Sequence, residues 1–311
     1  MTVQDKDQSS GESSGTVRDE GVKMEAEVVD IEREATATVK GFLAQAVHAA
    51  RRWLILQKDE TLICEGTEDI DILSPTQKVM TLEQIKELST RISARQCAVY
   101  ETIFHFAQSF IHFANRDHDV LLIFTTCAEL AQQKTGRTEK GAELEIDVLG
   151  TWRELADTKD DEKTEGLKVA CKSLLANAIE RELISKDAVA KTKVAFQYLD
   201  DNLLWKSFFL AVQWNSCSAD LDAALGLLRS ETTARFSIGD TLADRILWHV
   251  LWVMSRSNLG DRQLTQQGLL KLVDQVRHEA GQWASSLGCA RRGRVEGAKN
   301  LSQEADSWLS T

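Results

Sequence analysis

A single proline, Pro75, occurs in the 311 residues of this chain. Proline lacks a backbone N–H donor and breaks helix interiors, so long helices exclude it, whereas chains with many turns and strands usually contain more of it. Apolar residues also recur every three or four positions through most of the sequence, which is the period of amphipathic helices. Together these features predict an all-α protein, a helical bundle of about nine helices arranged in one body or in two lobes.

The helical period and its interruptions define the predicted elements. The clearest helix start is a capping box formed by Thr81 and Gln84, with Met80 and Ile85 placed as a hydrophobic staple. Residues 58–79 lose the period and are predicted to form a loop, with a short extended piece at "TLIC". Helices are predicted over about 22–57, 81–115, 118–134, 139–157, 167–179, 189–214, 219–230, 241–256 and 262–286.

Changes in composition divide the chain into five segments. Residues 1–21 are rich in serine, glycine and acidic residues, which predicts a disordered tail. Residues 22–157 are predicted to form an N-terminal helical lobe, and residues 158–166 a charged linker or turn. A C-terminal helical lobe is predicted over 167–287, followed by a polar, partly basic and disordered tail over 288–311.

Charge and cysteine usage narrow the setting in which the protein acts. The net charge of −11 argues against a chain that simply coats nucleic acid or anionic lipid. No apolar run reaches the roughly 18 residues of a membrane span, and the N-terminus resembles neither a secretory signal nor a presequence. The six cysteines form no C-x-x-C pair, and most lie in helical apolar patterns, where reduced cysteine acts as a small hydrophobe. A cytoplasmic, reducing location is expected.

The stretch "YETIFHFAQSFIHFANRDHD" (residues 100–119) carries the first candidate site. At 100° per residue, Glu101, His105 and His112 lie within about 40° of one another on a helix, opposite its apolar face. They could bind a metal ion if another element supplied further ligands. Metal sites in helical bundles face inward, however, so a stripe that faces solvent or a partner is the favoured interpretation and a metal site the alternative.

The stretch "DRILWHVLWVMSR" (residues 244–256) carries the second candidate. On the same helical wheel Arg245, His249 and Arg256 share a narrow slot, with Trp248 and Trp252 beside it. In the structural interpretation this is a central helix whose polar slot reaches the surface. In the functional interpretation the arginines and Trp252 bind an anion, a peptide carboxylate or a stacked base.

Enzyme motifs are missing from the sequence. It contains no G-x-G-x-x-G after a strand, no P-loop and no G-x-S-x-G elbow. We therefore expect a non-enzymatic protein without a cofactor that acts as a protein–protein interaction or scaffold protein, with a protein partner or self-association. Two alternatives stay open: a two-lobed, nucleoprotein-like helical protein that binds nucleic acid, and a helical bundle that encloses an apolar ligand.

Overall fold

A computed structural model gives the fold of the chain. It describes residues 17–88, 91–94, 96–116, 118–131, 146–158, 160–216, 218–238 and 240–282. The chain divides into two units, residues 1–42 and residues 43–311. The described backbone of the first unit is helical, and the second unit contains the sheet and the site discussed below.

Six strands form one mixed sheet in the order β5-β4-β3-β2-β1-β6. Strands β3, β4 and β5 are parallel to one another. Strand β3 is antiparallel to β2, which is antiparallel to β1, and β6 adds antiparallel to β1. The strands are Thr61–Cys64 (β1), Ile70–Ser74 (β2), Val79–Lys86 (β3), Asp119–Thr126 (β4), Val212–Asn215 (β5) and Gln263–Thr265 (β6).

Helices connect the parallel strands and flank the sheet. Parallel strands need a crossover, and here α2 links β3 to β4 while α3 to α6 link β4 to β5. The helices are Val17–Ile55 (α1), Cys97–Ala114 (α2), Val148–Thr158 (α3), Asp161–Glu180 (α4), Lys186–Asp201 (α5), Trp205–Ala211 (α6), Leu221–Phe236 (α7), Asp240–Met254 (α8) and residues 266–282 (α9).

Each face of the sheet packs against its own group of helices. Met80, Leu122 and Phe124 belong to a core shared with α2 to α6. On the other face, Leu62 and Ile85 belong to a core shared with α7, α8, α9 and the part of α1 from Ala44 onward. The second unit is therefore a three-layer α/β structure, because both apolar faces of the sheet are covered by helices.

The prediction of an all-α bundle is wrong, because the described residues contain this six-stranded sheet. Scarce proline is compatible with the sheet, since helices make its longest connections and only the β2–β3 hairpin places a proline, Pro75, in its turn. The short extended piece predicted at "TLIC" is confirmed as β1. The first predicted helix, about 22–57, is confirmed with the bounds Val17–Ile55.

The helix predicted over 81–115 is a strand followed by a shorter helix. Its first residues form β3, and helix α2 begins only at Cys97. Central strands have both faces covered, so β3 lacks the apolar–polar alternation by which strands are recognised. Thr81 and Gln84 thus resemble a capping box only by spacing: Gln84 instead accepts a hydrogen bond from Thr102 of α2.

Three further predicted helices contain strands. The apolar run "DVLLIFTT", assigned to a helix over 118–134, is β4. The end of the helix predicted to reach Trp214 is β5, and the start of the helix predicted over 262–286 is β6. A short apolar run fits a buried strand as well as a helix, and periodicity alone does not separate the two.

Two of the predicted segment boundaries, at 21/22 and 166/167, lie inside helices of the described chain. Residues 17–21 of the predicted disordered tail have helical backbone, and residues 161–166 of the predicted linker form the start of α4. Residues 1–16 and the tail at 288–311 lie outside the described residues. The division into two lobes at 158–166 stays a prediction. Within the described residues, no helix is long and apolar enough to cross a membrane.

Candidate functional site

A polar cavity of about 490 Å³ opens where the parallel strands end. Thr125 lies near the end of β4, Asn215 is the last residue of β5, and Ser216 follows it. Ligands of open α/β sheets bind in the crevice outside the carboxyl ends of the strands, where the connections turn away to the helices. The full lining is His48, Arg51, Arg52, Ile55, Glu83, Thr125, Arg153, Trp214, Asn215, Ser216, Ser218 and Glu231.

A buried carboxylate, Glu83 of β3, anchors the floor of the cavity. Its residue is 1% exposed. Arg52 Nε of α1 donates to Glu83 Oε2 at 2.7 Å, and the Thr125 hydroxyl donates to Glu83 Oε1 at 2.7 Å. Burying a charge is strongly unfavourable unless it is paired and hydrogen-bonded, and both carboxylate oxygens here have a donor. The three side chains therefore join helix α1 to the middle of the sheet.

A second ion pair spans the cavity between helices α1 and α7. Arg51 Nε and a terminal nitrogen of its guanidinium donate to the two carboxylate oxygens of Glu231 at 3.0 and 2.6 Å. This bidentate hydrogen bond raises the pKa of Arg51. Both side chains are partly exposed, so the pair contributes little stability and is accessible to a competing anion.

His48, one turn before Arg51 and Arg52 on α1, is half-buried in the cavity wall. Burial lowers the pKa of His48, because desolvation disfavours the charged imidazolium. The Glu83 carboxylate opposes that effect, while the two neighbouring arginines add to it. Near neutral pH the imidazole is uncharged and offers one donor and one acceptor nitrogen.

Arg153 of α3 is the third arginine that lines the cavity, and no described carboxylate is paired with it. It forms no ion pair or hydrogen bond with any residue that the structure describes. The other two arginines of the lining are each paired with a glutamate. An anion entering the cavity therefore meets one guanidinium that no described residue engages, together with the hydroxyl and amide groups of Ser216, Ser218 and Asn215.

The predicted metal stripe lies on α2, away from this cavity. His105 and His112 are exposed, and the ring of His112 packs edge-on against Phe113. Glu101 accepts a hydrogen bond from the Cys97 thiol at 3.1 Å. Among the described residues no group of three potential ligands could hold a metal ion. The solvent-facing or partner-facing stripe stays a prediction.

The predicted arginine–aromatic patch lies on the outer side of α8. The Arg256 guanidinium stacks 3.8 Å from the centre of the Trp252 ring. His249 is stacked on Trp53 of α1 at 5.2 Å, and burial lowers its pKa. Arg245 is paired with the exposed Glu279 at 3.1 Å. The structure thus joins Arg256, Trp252 and His249 in one cluster, while Arg245 interacts with α9; whether the patch binds a ligand stays a prediction.

The sequence interpretation missed the cavity residues. One residue in the sequence could have pointed to the cavity: the charged Glu83 inside the apolar run "VMTLEQI". A helix would place this carboxylate at the surface, whereas a central strand must bury it beside a partner. Arg51 and Arg52 formed a second signal, a pair of cations next to an apolar run. The connection between the two signals is tertiary, because Arg51 and Glu231 are 180 positions apart.

Comparisons with known proteins complete the description. No known protein family matches the sequence. No curated protein matches it either. Among solved structures, the chain is similar to a SAVED/CARF-domain-containing receptor, Cap4 of Acinetobacter baumannii, solved with the cyclic trinucleotide 2'3'3'-cAAA. The sequence identity is 12% and the TM-score 0.42, over 78% of this chain and 46% of that chain. The chain thus spans about half the length of that receptor.

Proposed function

We propose that this chain is a non-enzymatic binding protein whose cavity at the strand ends takes a small phosphate-bearing ligand. The observation that carries the proposal is Arg153, which has no partner among the described residues and lies in a polar cavity lined by two further arginines. Arginine suits phosphate because its planar guanidinium donates two parallel hydrogen bonds to one group.

The size and place of the cavity support this ligand class. Its volume of about 490 Å³ falls within the roughly 300–1,000 Å³ typical of small-molecule sites. It lies at the ends of parallel strands, where nucleotide-type ligands bind in many α/β proteins. The arginines, carboxylates and hydroxyls of the lining do not suit an apolar ligand, which was one of the alternatives from the sequence. The nucleoprotein-like alternative assumed an all-α architecture and loses that basis.

The proposal stays non-enzymatic because both carboxylates of the cavity are held in structural contacts. Both oxygens of Glu83 accept hydrogen bonds, from Arg52 and Thr125, and Glu231 is held by Arg51. A carboxylate so engaged is a poor general base, since a reacting proton competes with its existing donors. Binding in the cavity needs none of these contacts to break.

The test is a binding measurement on the full chain with three probes of different size. Isothermal titration calorimetry with pyrophosphate, ADP and 2'3'3'-cAAA should detect binding of at least one. Arg153→Gln should weaken that binding about tenfold or more, because a hydrogen bond to a charged group contributes about 1.5–3 kcal/mol. Arg91→Gln, which removes an exposed arginine outside the cavity, is the matched control and should leave binding unchanged. No binding of any probe, or equal binding by Arg153→Gln, would refute the proposal.

A protein-interaction role is a second candidate, favoured by two exposed tryptophans on α8. Trp248 is 70% exposed and Trp252 is 51% exposed. Exposed tryptophans favour an interface, because aromatic side chains are enriched where proteins bind one another. Self-association is the form of this role that the chain alone can test. Light scattering after size-exclusion chromatography should show an oligomer that Trp248→Ser dissociates; a monomeric unaltered chain would contradict self-association.

A further inference from the structure

One buried tryptophan in the described residues differs from the others in its hydrogen bonding. The indole N–H of Trp53 donates to the Thr265 carbonyl at 2.8 Å, and that of Trp152 to the Phe209 carbonyl at 2.8 Å. The indole N–H of Trp205 donates to Asp200 at 2.9 Å. Trp214 is also buried, with 7% of the residue exposed, but its indole N–H has no acceptor among the described residues.

Such an orphan donor calls for an explanation. Buried tryptophan N–H groups usually have a partner, and a buried donor without one is unfavourable for the folded state. The packing around this ring is otherwise complete: Trp214 contacts Phe124 and Trp152 at ring-centre distances of 5.2 and 5.4 Å. Aromatic neighbours thus hold the ring, and its one polar group has no acceptor in the part of the chain that the structure describes.

The position of Trp214 connects this orphan to the cavity. Trp214 lines the cavity at the strand ends, and it also lines a second cavity of about 640 Å³ between helix α3 and the edge strand β5. The two cavities share three residues, Arg153, Trp214 and Asn215. Arg153 and Trp214 therefore both line the junction of the two cavities.

We propose that Trp214 is a ligand-binding residue whose indole N–H donates to a phosphate oxygen held by Arg153, and that the ligand extends from this point into both cavities. The inference rests on the proposed function. It adds Trp214 as a second group that recognises the phosphate, and it states in which direction the ligand extends. The phosphate bound by both Arg153 and Trp214 lies where the two cavities meet, and the rest of the ligand occupies the space beside β5. Trp214 then selects ligands that present an acceptor at this point, because a ligand donor would leave two donors facing each other.

The experiment observes the indole groups directly. The full chain is labelled with ¹⁵N in its tryptophans, and the indole resonances are assigned by triple-resonance NMR. The labelled chain is then titrated with each probe that it binds, out of pyrophosphate, ADP and 2'3'3'-cAAA. The indole proton of Trp214 should move downfield on binding, whereas that of Trp53, on the opposite face of the sheet, should not. Calorimetry should show binding about tenfold weaker for Trp214→Phe.

Tyr100→Phe is the matched control. Tyr100 carries the other buried side-chain group that has no well-formed hydrogen bond in the described residues; the Cys97 thiol lies beside it, and it does not line either cavity. Its removal should leave binding unchanged.

The outcomes separate the two proposals. If the unaltered chain binds none of the probes, the proposed function fails and the role of Trp214 fails with it. If a probe binds but the Trp214 resonance stays in place, the role of Trp214 alone is refuted, even where Trp214→Phe weakens binding through lost packing. If Trp214→Phe does not fold, the resonance of the unaltered chain decides the question.

Discussion

Replacing Glu83 by glutamine tests the central claim about the cavity floor, that a buried ion pair joins helix α1 to the sheet. Glu83→Gln keeps the shape of the side chain but removes its charge. The amide then presents N–H donors toward the Arg52 guanidinium, which is itself a donor. The Thr125 hydroxyl retains an acceptor only if the amide oxygen faces it.

The magnitude follows from burial. Breaking a buried ion pair costs about 3–5 kcal/mol. The side chain of Arg52 is 30% exposed and regains some hydration, which reduces the expected loss to about 2–4 kcal/mol. For a protein of this size that corresponds to a fall in Tm of roughly 3–8 °C. Urea denaturation followed by far-UV circular dichroism measures the loss of unfolding free energy.

Two further variants make the result interpretable. Glu231→Gln breaks the partly exposed pair with Arg51, so it should cost at most about 1 kcal/mol. The double variant Arg52→Met with Glu83→Leu removes both charges together and should recover most of the stability lost in Glu83→Gln. The reasoning is wrong if Glu83→Gln stays within about 0.5 kcal/mol of the unaltered chain, or if Glu231→Gln costs as much.

Further variants test other parts of the structure. Phe110→Ala should lower the unfolding free energy by about 3–5 kcal/mol, because its buried ring packs against α6. Replacing the exposed His105 and His112 together by alanine should change the unfolding free energy by less than about 0.5 kcal/mol. Urea titrations compare the two variants, and similar losses would contradict the assignment of faces on α2. Burial raises the pKa of Glu68 to about 8, above its unfolded value near 4.5, so the folded chain retains a proton that the unfolded chain releases. Stability should therefore fall as pH rises from about 4.5 to 8. Urea midpoints measured across this range should fall less in Glu68→Gln than in the unaltered chain. Arg256→Ala should lower Tm by only a few degrees, since an exposed cation–π contact contributes about 0.5–1 kcal/mol, and collapse of the fold on differential scanning calorimetry would show that the arginine is structural.

The helices with a solvated face could be predicted from the sequence, and the central strands could not. Helix α1 is amphipathic, so its apolar stripe identified it within a few residues of its bounds. Strands β3 and β4 pack against helices on both faces, so apolar residues occupy consecutive positions and the period of two disappears. The same burial explains Glu83, whose charge is compatible with a strand only because a distant arginine meets it.

The candidate site was less predictable than the fold, for a related reason. The exposed candidates on α2 and α8 were found because each lies on a single helix, where spacing determines which side chains are neighbours. The cavity combines side chains from α1, α3, α7 and three strands, and no spacing rule relates Arg153 to Asn215. Trp214 carried no signal at all, because what distinguishes it is the lack of an acceptor among the described residues, which only the folded structure reveals.

The pairing of β1 with β6 affects the order in which the molecule can fold. Strands β1, β2 and β3 are close in sequence and can pair early as a meander. Strand β6 comes from the far end of the described chain, and the Trp53–Thr265 hydrogen bond beside it joins residues 212 positions apart. During synthesis β1 is therefore an open sheet edge until the last helices emerge, and such edges pair readily with other chains. Once paired, the three-residue β6 is itself the sheet edge, and so short an edge strand offers few unpaired backbone groups to another chain.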